Sequence, residues 1–302
     1  METNSDTFEK SGDMSYENVF VSSGTVRRTP GDDDTLPSRL FEILKDLVRI
    51  ASPSGDEDTL ARHIASTYFA DGWEVRVDEY ANLVAVPAGQ VGDLPLLTAH
   101  MDTRPVWGDD IRARLAEEDI ISLDGGTVTK KHPIQCGFDD KAGIAIILAL
   151  KERLGPRFKV LLTTREETGG AGVAYALADE QNRGFFAGVP FAFTIDRRST
   201  SGSDIIHTYA GLKMCSDRYV EEIEAISAFL GAPMAGSDRG TMADCYQIAE
   251  AFPIPIVNLS CGFMHEHTPK ETLDFASTLD TFQVVERCLR EQTRLTEAAR
   301  WN

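Results

Sequence analysis

Residues 158–170, FKVLLTTREETGG, join a short apolar run to two adjacent glutamates and then to two glycines. The apolar run predicts a buried strand, and successive side chains on a strand face opposite sides. Glu166 and Glu167 would therefore diverge if the strand continued through both. Either this segment is a solvated loop, or two acids with different roles converge on one site. If the strand ends near Arg165, the alternation no longer applies, and the glycines leave the backbone free to turn.

Strand and helix patterns alternate along most of the chain. Besides the run at 158–164, strands are predicted at residues 73–80, 82–88, 93–100, 189–196 and 255–262. Helical periodicity is found before, between and after these strands, as in residues 39–52, in residues 139–154 and in a long closing helix at 270–295. A hairpin is predicted around LDGGTV, residues 123–128. This order is typical of an α/β fold, a three-layer α/β/α sandwich with a mostly parallel mixed sheet.

The amino-acid composition argues against some classes of binding partner. The chain has 302 residues, 42% of them hydrophobic, and its 30 basic and 48 acidic residues give a net charge of −18. This charge argues against nucleic acid or an anionic membrane as a partner. The first residues lack the basic start and apolar core of a signal peptide, and the five cysteines show no CxxC spacing. We therefore expect a cytoplasmic protein with free thiols.

Polar residues follow several predicted strands, at the sheet edge where open α/β folds bind ligands. His100 and Asp102 end one strand, and the carboxylate two residues on can orient the imidazole as a metal ligand. A packed or solvated histidine is the alternative. Asp139 and Asp140 open an apolar helix, where they are either helix caps or metal-binding carboxylates.

Three later positions extend this set. Asp196 ends the strand at 189–196 and is either a turn residue or a ligand. His265 and His267 follow the strand at 255–262, where a surface role competes with metal binding. Imidazoles and carboxylates together suit zinc, with cobalt or manganese as possible substitutes, so the set has the composition of a paired divalent-metal site.

In this order the motifs resemble those of the co-catalytic di-zinc exopeptidases, which include peptidase T, other aminopeptidases, aminoacylases and glutamate carboxypeptidases. The matching segments, from about residue 38 to about residue 290, are LVRIASPSGDE, NLVAV, LLTAHMDT, GFDDKAG, TREETGG, FTID and HTPKE. The resemblance implies a zinc-exopeptidase-like fold that holds two Zn²⁺ ions per chain.

The resemblance also implies a role for each matching residue. The implied metal ligands, in chain order, are His100, Asp139, Glu167, Asp196 and His267. Asp139 would bridge both metals, with Asp140 following across an unusual cis peptide bond. His267 has the family's spacing to Glu271, whereas His265 does not. Two residues would act in catalysis without binding metal: Asp102 behind the first histidine, and Glu166 as the general base.

The chain departs from the larger relatives, in which a lid or dimerisation domain follows either the H-x-D segment or the acid that matches Asp196. Here Asp102 and Asp139 are only 37 positions apart, and about 40 positions separate Asp196 from GSDRGTMAD. Neither gap is long enough for a domain. We expect residues 1–36 to form a flexible tail and residues 37–302 a single metallopeptidase-like catalytic domain.

Two further features stay open. The family's Gly-Thr-Asp segment is matched best by Asp244 and next by Asp238, and both could be loop acids. Arg197 and Arg198, directly after Asp196, could meet a substrate carboxylate or lie in a solvated loop.

The chemistry favours metal-dependent cleavage of amide bonds. Two metal ions about 3.5–4 Å apart can share a water, lower its pKa and polarise the scissile carbonyl. A carboxylate that binds no metal then passes the water's proton to the leaving amine. The resemblance implies an aminopeptidase or di/tripeptidase acting on small peptides, and an aspartate at position 196 favours the aminopeptidase side. The alternatives are an N-acyl amino acid amidohydrolase and a non-catalytic metallopeptidase-like binding protein.

Overall fold

The protein is described by a computed structural model that covers residues 35–69, 72–89, 93–104, 110–199 and 203–301. An eight-stranded sheet lies at its centre, with strands in the order β1-β2-β6-β3-β7-β12-β8-β11. These strands are β1 (Trp73–Val77), β2 (Leu83–Pro87), β3 (Leu96–His100), β6 (Lys159–Thr163), β7 (Ala192–Arg197), β8 (Ser203–Ile206), β11 (Met234–Ser237) and β12 (Ile256–Ser260).

The four middle strands run parallel, since β6 pairs with β3, β3 with β7, and β7 with β12 in parallel register. Antiparallel pairs flank them, β1 with β2 and β2 with β6 on one side and β12 with β8 on the other. The mostly parallel mixed sheet predicted from the sequence is confirmed. Because the middle strands are parallel, their carboxyl ends meet at one edge of the sheet.

Helices pack on both faces of this sheet, with apolar cores on either side. The helices of the described residues are α1 (Thr35–Val48), α2 (Asp58–Tyr68), α3 (Ile111–Leu115), α4 (Phe138–Leu154), α5 (Ala171–Ala178), α6 (Arg183–Phe186), α7 (Asp217–Phe229), α8 (Asp244–Ala251), α9 (Phe275–Arg290) and α10 (Gln292–Ala299). On β6, Val160 and Leu162 lie in one apolar core, whereas Leu161 lies in a second core on the other face. This alternation explains why the strand reads as a continuous apolar run, because both of its faces are buried.

Helix α4 is the central helix of the larger core. Its residues from Phe138 to Leu150 are all buried, and it packs against α1, β3 and β7. Gly143 allows the close approach to the sheet, since a Cβ there would lie 2.0 Å from the carbonyl oxygen of Ile195. The helix therefore brings its first residues, Asp139 and Asp140, directly to the carboxyl ends of the parallel strands.

A small second sheet, in the order β13-β14-β5-β4, contains the predicted hairpin. Its strands are β4 (Ile121–Asp124), β5 (Thr127–Lys130), β13 (Phe263–Met264) and β14 (Thr272–Asp274), and a separate pair is formed by β9 (Thr208–Tyr209) and β10 (Leu212–Lys213). The prediction of one closing helix over 270–295 is wrong at both ends. Asp274 caps α9 by accepting from the N–H groups of Ala276 and Ser277, and a break at Glu291 separates α9 from α10.

The predicted tail, residues 1–36, lies almost wholly outside the described residues, and the first helix begins at Thr35. All five cysteines are buried and unpaired. Within the described ranges, no helix is both long and apolar enough to cross a bilayer.

Candidate metal centre

The turn after β6 resolves the geometry of the two adjacent glutamates. The strand ends at Thr163, and residues Glu166–Thr168 form a single 3₁₀ turn. Arg165 precedes this turn with a left-handed backbone, at φ 54°, and both following glycines also have positive φ. The strand thus ends before Arg165, and strand alternation does not apply to Glu166 and Glu167.

His100 lies at the carboxyl end of β3 and is fully enclosed by acids. Its Nδ1 is 3.0 Å from the carbonyl oxygen of Asp102 and 3.3 Å from that residue's carboxylate. Its Nε2 faces the other way, 3.2 Å from Asp139 Oδ1 and 3.5 Å from Asp196 Oδ1. A ring whose Nδ1–H is held by Asp102 presents an Nε2 lone pair to the other two acids, which is the arrangement of an oriented metal-binding histidine.

Asp139 stands between the two histidines. Its Oδ1 faces His100, while its Oδ2 is 3.1 Å from Nε2 of His267. His267 in turn lies 2.6 Å from Glu167 Oε1. Potential ligand atoms of His100, Asp139 and Glu167 all lie within 4.8 Å of one another, and so do those of a second group, His100, Asp140 and Asp196. The structure thus brings together all five sequence-predicted ligands, with Asp139 in the central position.

The Asp139–Asp140 peptide bond is cis, as the resemblance implied. Asp140 points back into the protein, where Oδ2 accepts from the N–H of His100 at 3.2 Å and Oδ1 accepts from the N–H of Gly143 at 3.2 Å. The residue therefore ties the start of α4 to the end of β3, in addition to its place beside His100.

Two buried atoms test whether a cation fits this site. Nε2 of His267 and Oε1 of Glu167 are 2.6 Å apart, yet neither has a hydrogen-bond partner with acceptable geometry. Polar atoms this deeply buried are normally satisfied. Two electron-pair donors that converge without bonding to each other are what a bound cation requires, and an imidazole and a carboxylate are ligands that Zn²⁺ prefers. The residues present fit a divalent metal.

The pKa values of these groups show how strongly the cluster favours positive charge. Burial opposes protonation of His100, but Asp196, Asp102 and Asp139 outweigh it and raise the pKa of the ring well above its usual value. Burial raises the pKa of Asp196 to about 7, and neighbouring acids add to the effect. Burial also raises the pKa of Asp140 well above its usual value. Crowded buried carboxylates of this kind are stabilised by a cation between them.

Glu166 lies in the same cleft but belongs to neither group of potential ligands. Burial raises the pKa of its carboxyl to about 9, although His100 acts in the opposite direction. Its backbone N–H donates to Asp102 Oδ1 at 2.9 Å, and the N–H of Glu167 donates to Oδ2 at 3.2 Å. Asp102 thus positions the turn that carries both glutamates, as well as the ring of His100.

The cleft beside these acids has a volume of about 310 Å³. Its other walls include Arg104, Arg198, Thr241, Met242, Phe263 and Glu266. It is open to solvent, and the described segments between Asp102 and Asp139 and between Asp196 and Asp244 form only short helices and strands, with no added domain over it.

Several residues that support the site are not among those predicted from the sequence. Ser54 donates its hydroxyl to Asp102 Oδ2 at 2.7 Å. Glu57 is buried and accepts from the N–H of Arg165 at 3.1 Å, directly before the 3₁₀ turn. Both belong to the matching segment LVRIASPSGDE, and that match was the feature of the sequence that could have pointed to them. Asn258 on β12 exchanges two hydrogen bonds of 2.9 Å with the backbone of Asp196, and no motif pointed to it.

Glu271 supports the other side of the centre. Fully buried, it accepts from the N–H groups of Cys136 at 2.8 Å, Gly137 at 2.9 Å and Asp139 at 3.2 Å. Burial raises its pKa to about 7 in spite of these three donors. The spacing from His267 to Glu271, noted in the sequence, thus links one candidate ligand to the loop that carries another.

Of the other residues considered from the sequence, His265, Asp238 and Arg197 lie outside the centre and Asp244 lies next to it. His265 is exposed and lies in neither ligand group. Asp238 is exposed as well, whereas Asp244 is buried next to the centre and accepts a hydrogen bond from the Thr163 hydroxyl. Arg197 points away from the cleft, with its guanidinium 3.3 Å from Asp204.

Comparison with solved structures reveals the fold class. Aminopeptidase PepT from Bacillus cereus superposes with a TM-score of 0.65 at 17% identity, over 87% of this chain and 99% of that one. Aminopeptidase APDkam598 from Desulfurococcus kamchatkensis gives 0.66 at 16% identity, over 88% and 99%. The TET1 peptidase of Pyrococcus horikoshii gives 0.59 at 17% identity, over 82% and 98%. The chain therefore has the fold of the zinc exopeptidases that its motifs resemble.

A curated relative by sequence is a LysW-lysine/LysW-ornithine hydrolase of Pyrococcus furiosus, 42% identical over 98 residues. That match spans 32% of this chain and 28% of the relative. A protein of the same name from Thermococcus kodakarensis is 34% identical over 97 residues, 32% of this chain and 26% of its own length. No protein-family model matches the chain.

Proposed function

We propose that this protein is a metal-dependent hydrolase of peptide bonds, an aminopeptidase or di/tripeptidase with two Zn²⁺ ions per chain. The observation that carries the proposal is the position of Asp139, with one carboxylate oxygen 3.2 Å from His100 and the other 3.1 Å from His267. A carboxylate between two histidines is the expected core of a paired metal site, and a second acid, Glu166, stands free in the same cleft.

The two sites would be held by different residues on either side of Asp139. His100 and Asp196 would complete one site, and Glu167 and His267 the other. When bound, a pair of divalent ions lowers the pKa of a shared water and polarises the scissile carbonyl.

The chain's own residues would complete the reaction. Glu166 takes the proton of the attacking water and passes it to the leaving amine, a role that requires a carboxylate without a metal bond. Asp102 holds the 3₁₀ turn of Glu166 in place, so that the carboxyl keeps its position in the cleft.

Several observations support the exopeptidase assignment. The three structures compared above are named as aminopeptidases or peptidases, although one further match of the same fold, from Thermotoga maritima, is named an endoglucanase. Fold alone therefore does not select the substrate, and the donor set of the cleft carries the argument. The aspartate at position 196 favours the aminopeptidase side. Five unpaired buried cysteines support a reducing, cytoplasmic location.

A second candidate is an N-acyl amino acid amidohydrolase that uses the same metals. The similarity to the LysW-lysine/LysW-ornithine hydrolases favours it, with 42% identity over 98 residues to the protein of Pyrococcus furiosus. It would differ from an aminopeptidase in the pocket for the amino terminus. A non-catalytic binding protein is disfavoured, because Glu166 would then serve no purpose in the cleft.

The test is a mass-spectrometric screen of zinc-loaded protein against short peptides with free amino termini and against the same peptides with N-acyl caps. Removal of one residue at a time from the free peptides, abolished by a chelator and restored by zinc, is the expected result. Preference for the capped set would establish the amidohydrolase. Metal-replete protein that cleaves neither set would contradict the proposal.

A further inference from the structure

Arg198 lies on the wall of the candidate cleft, and nothing in the metal chemistry accounts for it. Its neighbour Arg197 points away from the cleft, where its side chain is buried against Asp204. Arg198 and Asp196 both line the cleft.

Contacts of both the backbone and the side chain hold Arg198 in position. Its carbonyl oxygen accepts from the Ser260 hydroxyl at 3.2 Å, and the N–H of the next residue, Ser199, donates to the carbonyl oxygen of Phe263 at 3.0 Å. Its Nη2 lies 2.6 Å from Oε1 of Glu266, whose side chain is only 7% exposed. Arg198 itself is 41% exposed, so solute in the cleft can reach its guanidinium.

This arrangement leaves donors free for a ligand. A guanidinium carries five N–H donors in a rigid fork, and the contact with Glu266 involves one terminal nitrogen. Because Glu266 belongs to neither ligand group, a metal would not compete for it. Arg104, the other arginine among the described residues of the cleft wall, instead lies 3.7 Å from Glu167, a candidate ligand.

We propose that Arg198, oriented by Glu266, binds a carboxylate of the substrate and so determines which peptides the cleft accepts. Planar carboxylates match the arginine fork, and the pairing is charge-assisted. Arg198 starts two residues, roughly 7 Å, from the Asp196 backbone, so the carboxylate would belong to a group within about two residues of the scissile bond. The inference rests on the proposed function, and it names short peptides with a nearby carboxylate as the substrate class.

Two carboxylates meet this description, the free carboxyl terminus of a short peptide and an acidic side chain beside the scissile bond. The probes are therefore two matched pairs. The first pair is trialanine and its carboxyl-terminal amide. The second pair is amide-capped Ala-Glu and amide-capped Ala-Gln.

The experiment measures dissociation constants by calorimetry on zinc-loaded Glu166→Gln protein, with and without Arg198→Gln. The carboxylate member of at least one pair should bind more tightly than its uncharged partner. Arg198→Gln should weaken that member by about 10-fold, the lower range for a charge-assisted hydrogen bond at a partly exposed group, and should abolish the preference. Arg198→Lys should restore part of it, because the charge remains while the fork is lost.

The matched control is Arg62→Gln, which removes an exposed arginine on α2 that is paired with Asp58. This variant should keep the preference, and all variants should bind as much zinc as their parent. Equal affinity for both members of each pair, absence of binding, or an unchanged preference in Arg198→Gln would overturn the inference. Failure of the proposed function is a different result, namely carboxylate-selective binding by a wild-type protein that cleaves no peptide.

Discussion

The carboxylate of Asp102 accepts a hydrogen bond from the backbone N–H of Glu166 at 2.9 Å. The same carboxylate lies 3.3 Å from Nδ1 of His100. One side chain therefore links a candidate metal ligand on β3 to the turn after β6 that carries the candidate base. This link explains why the H-x-D motif and the paired glutamates, 64 residues apart in the chain, form a single site.

Asp102→Asn should impair metal binding and turnover together. An amide has one acceptor oxygen instead of two, so it cannot hold the His100 ring and both glutamate N–H groups at once. We expect a loss of about 10- to 100-fold in zinc affinity or in kcat/KM. Chelator competition and steady-state kinetics measure the two effects. Ser54→Ala removes only one hydrogen bond to Asp102 and should have a smaller effect; equal losses in the two variants would argue against the linking role.

Glu271→Ala should destabilise the loop before α4. Three buried N–H groups would lose their acceptor, at a cost of at least ~3 kcal/mol in the free energy of unfolding. Glu271→Gln keeps one acceptor oxygen and should cost less. Urea denaturation measures both, with the exposed Glu118→Ala expected to lie within about 0.5 kcal/mol of wild type. If Glu271→Ala is as stable as that control, the loop has other support.

Gly143→Ala should damage the start of α4. The added Cβ would lie 2.0 Å from the carbonyl oxygen of Ile195 and 2.5 Å from Asp140 Oδ1, so the helix would have to move away from β7. We expect a loss of ~3 kcal/mol or more, with weaker zinc binding because Asp139 moves with the helix. Gly184→Ala is the matched control, since nothing lies within 4 Å of its new Cβ. Equal unfolding midpoints for the two variants would contradict this packing.

Much of the fold follows from local pattern. Strands buried on both faces, such as β6, give continuous apolar runs, and the acids at their ends mark the edge where the parallel strands meet. The break after Arg290 was not predictable in the same way, because the periodicity continues through α9 and α10. Strand β14 was missed because its three residues sit inside a helical pattern, and its pairing with β5 is set by contacts distant in sequence.

The residues of the site also divide into those that the sequence predicts and those that it does not. The clustering of His100, Asp139, Glu167, Asp196 and His267 could be predicted because their motifs occur in a specific order, whereas their roles as ligands stay a prediction. The support from Asn258 could not, since an asparagine in an apolar strand carries no signal until β12 is seen beside β7. The opposite directions of Arg197 and Arg198 could not be predicted either, because β7 ends at Arg197 and its pairing with β12 shifts register between Asn258 and Ser260.

Glu166 and Glu167 are proposed to divide the roles of base and metal ligand, and the metal content of Glu166→Gln and Glu167→Gln distinguishes these roles. Elemental analysis of the purified variants, with peptide turnover measured on the same samples, separates the roles. We predict that Glu166→Gln retains the zinc content of wild type while kcat falls by about 10²- to 10⁴-fold. Glu167→Gln should lose about one zinc per chain. Loss of zinc in Glu166→Gln, or near-normal turnover by that variant, would show that Glu166 is not the base.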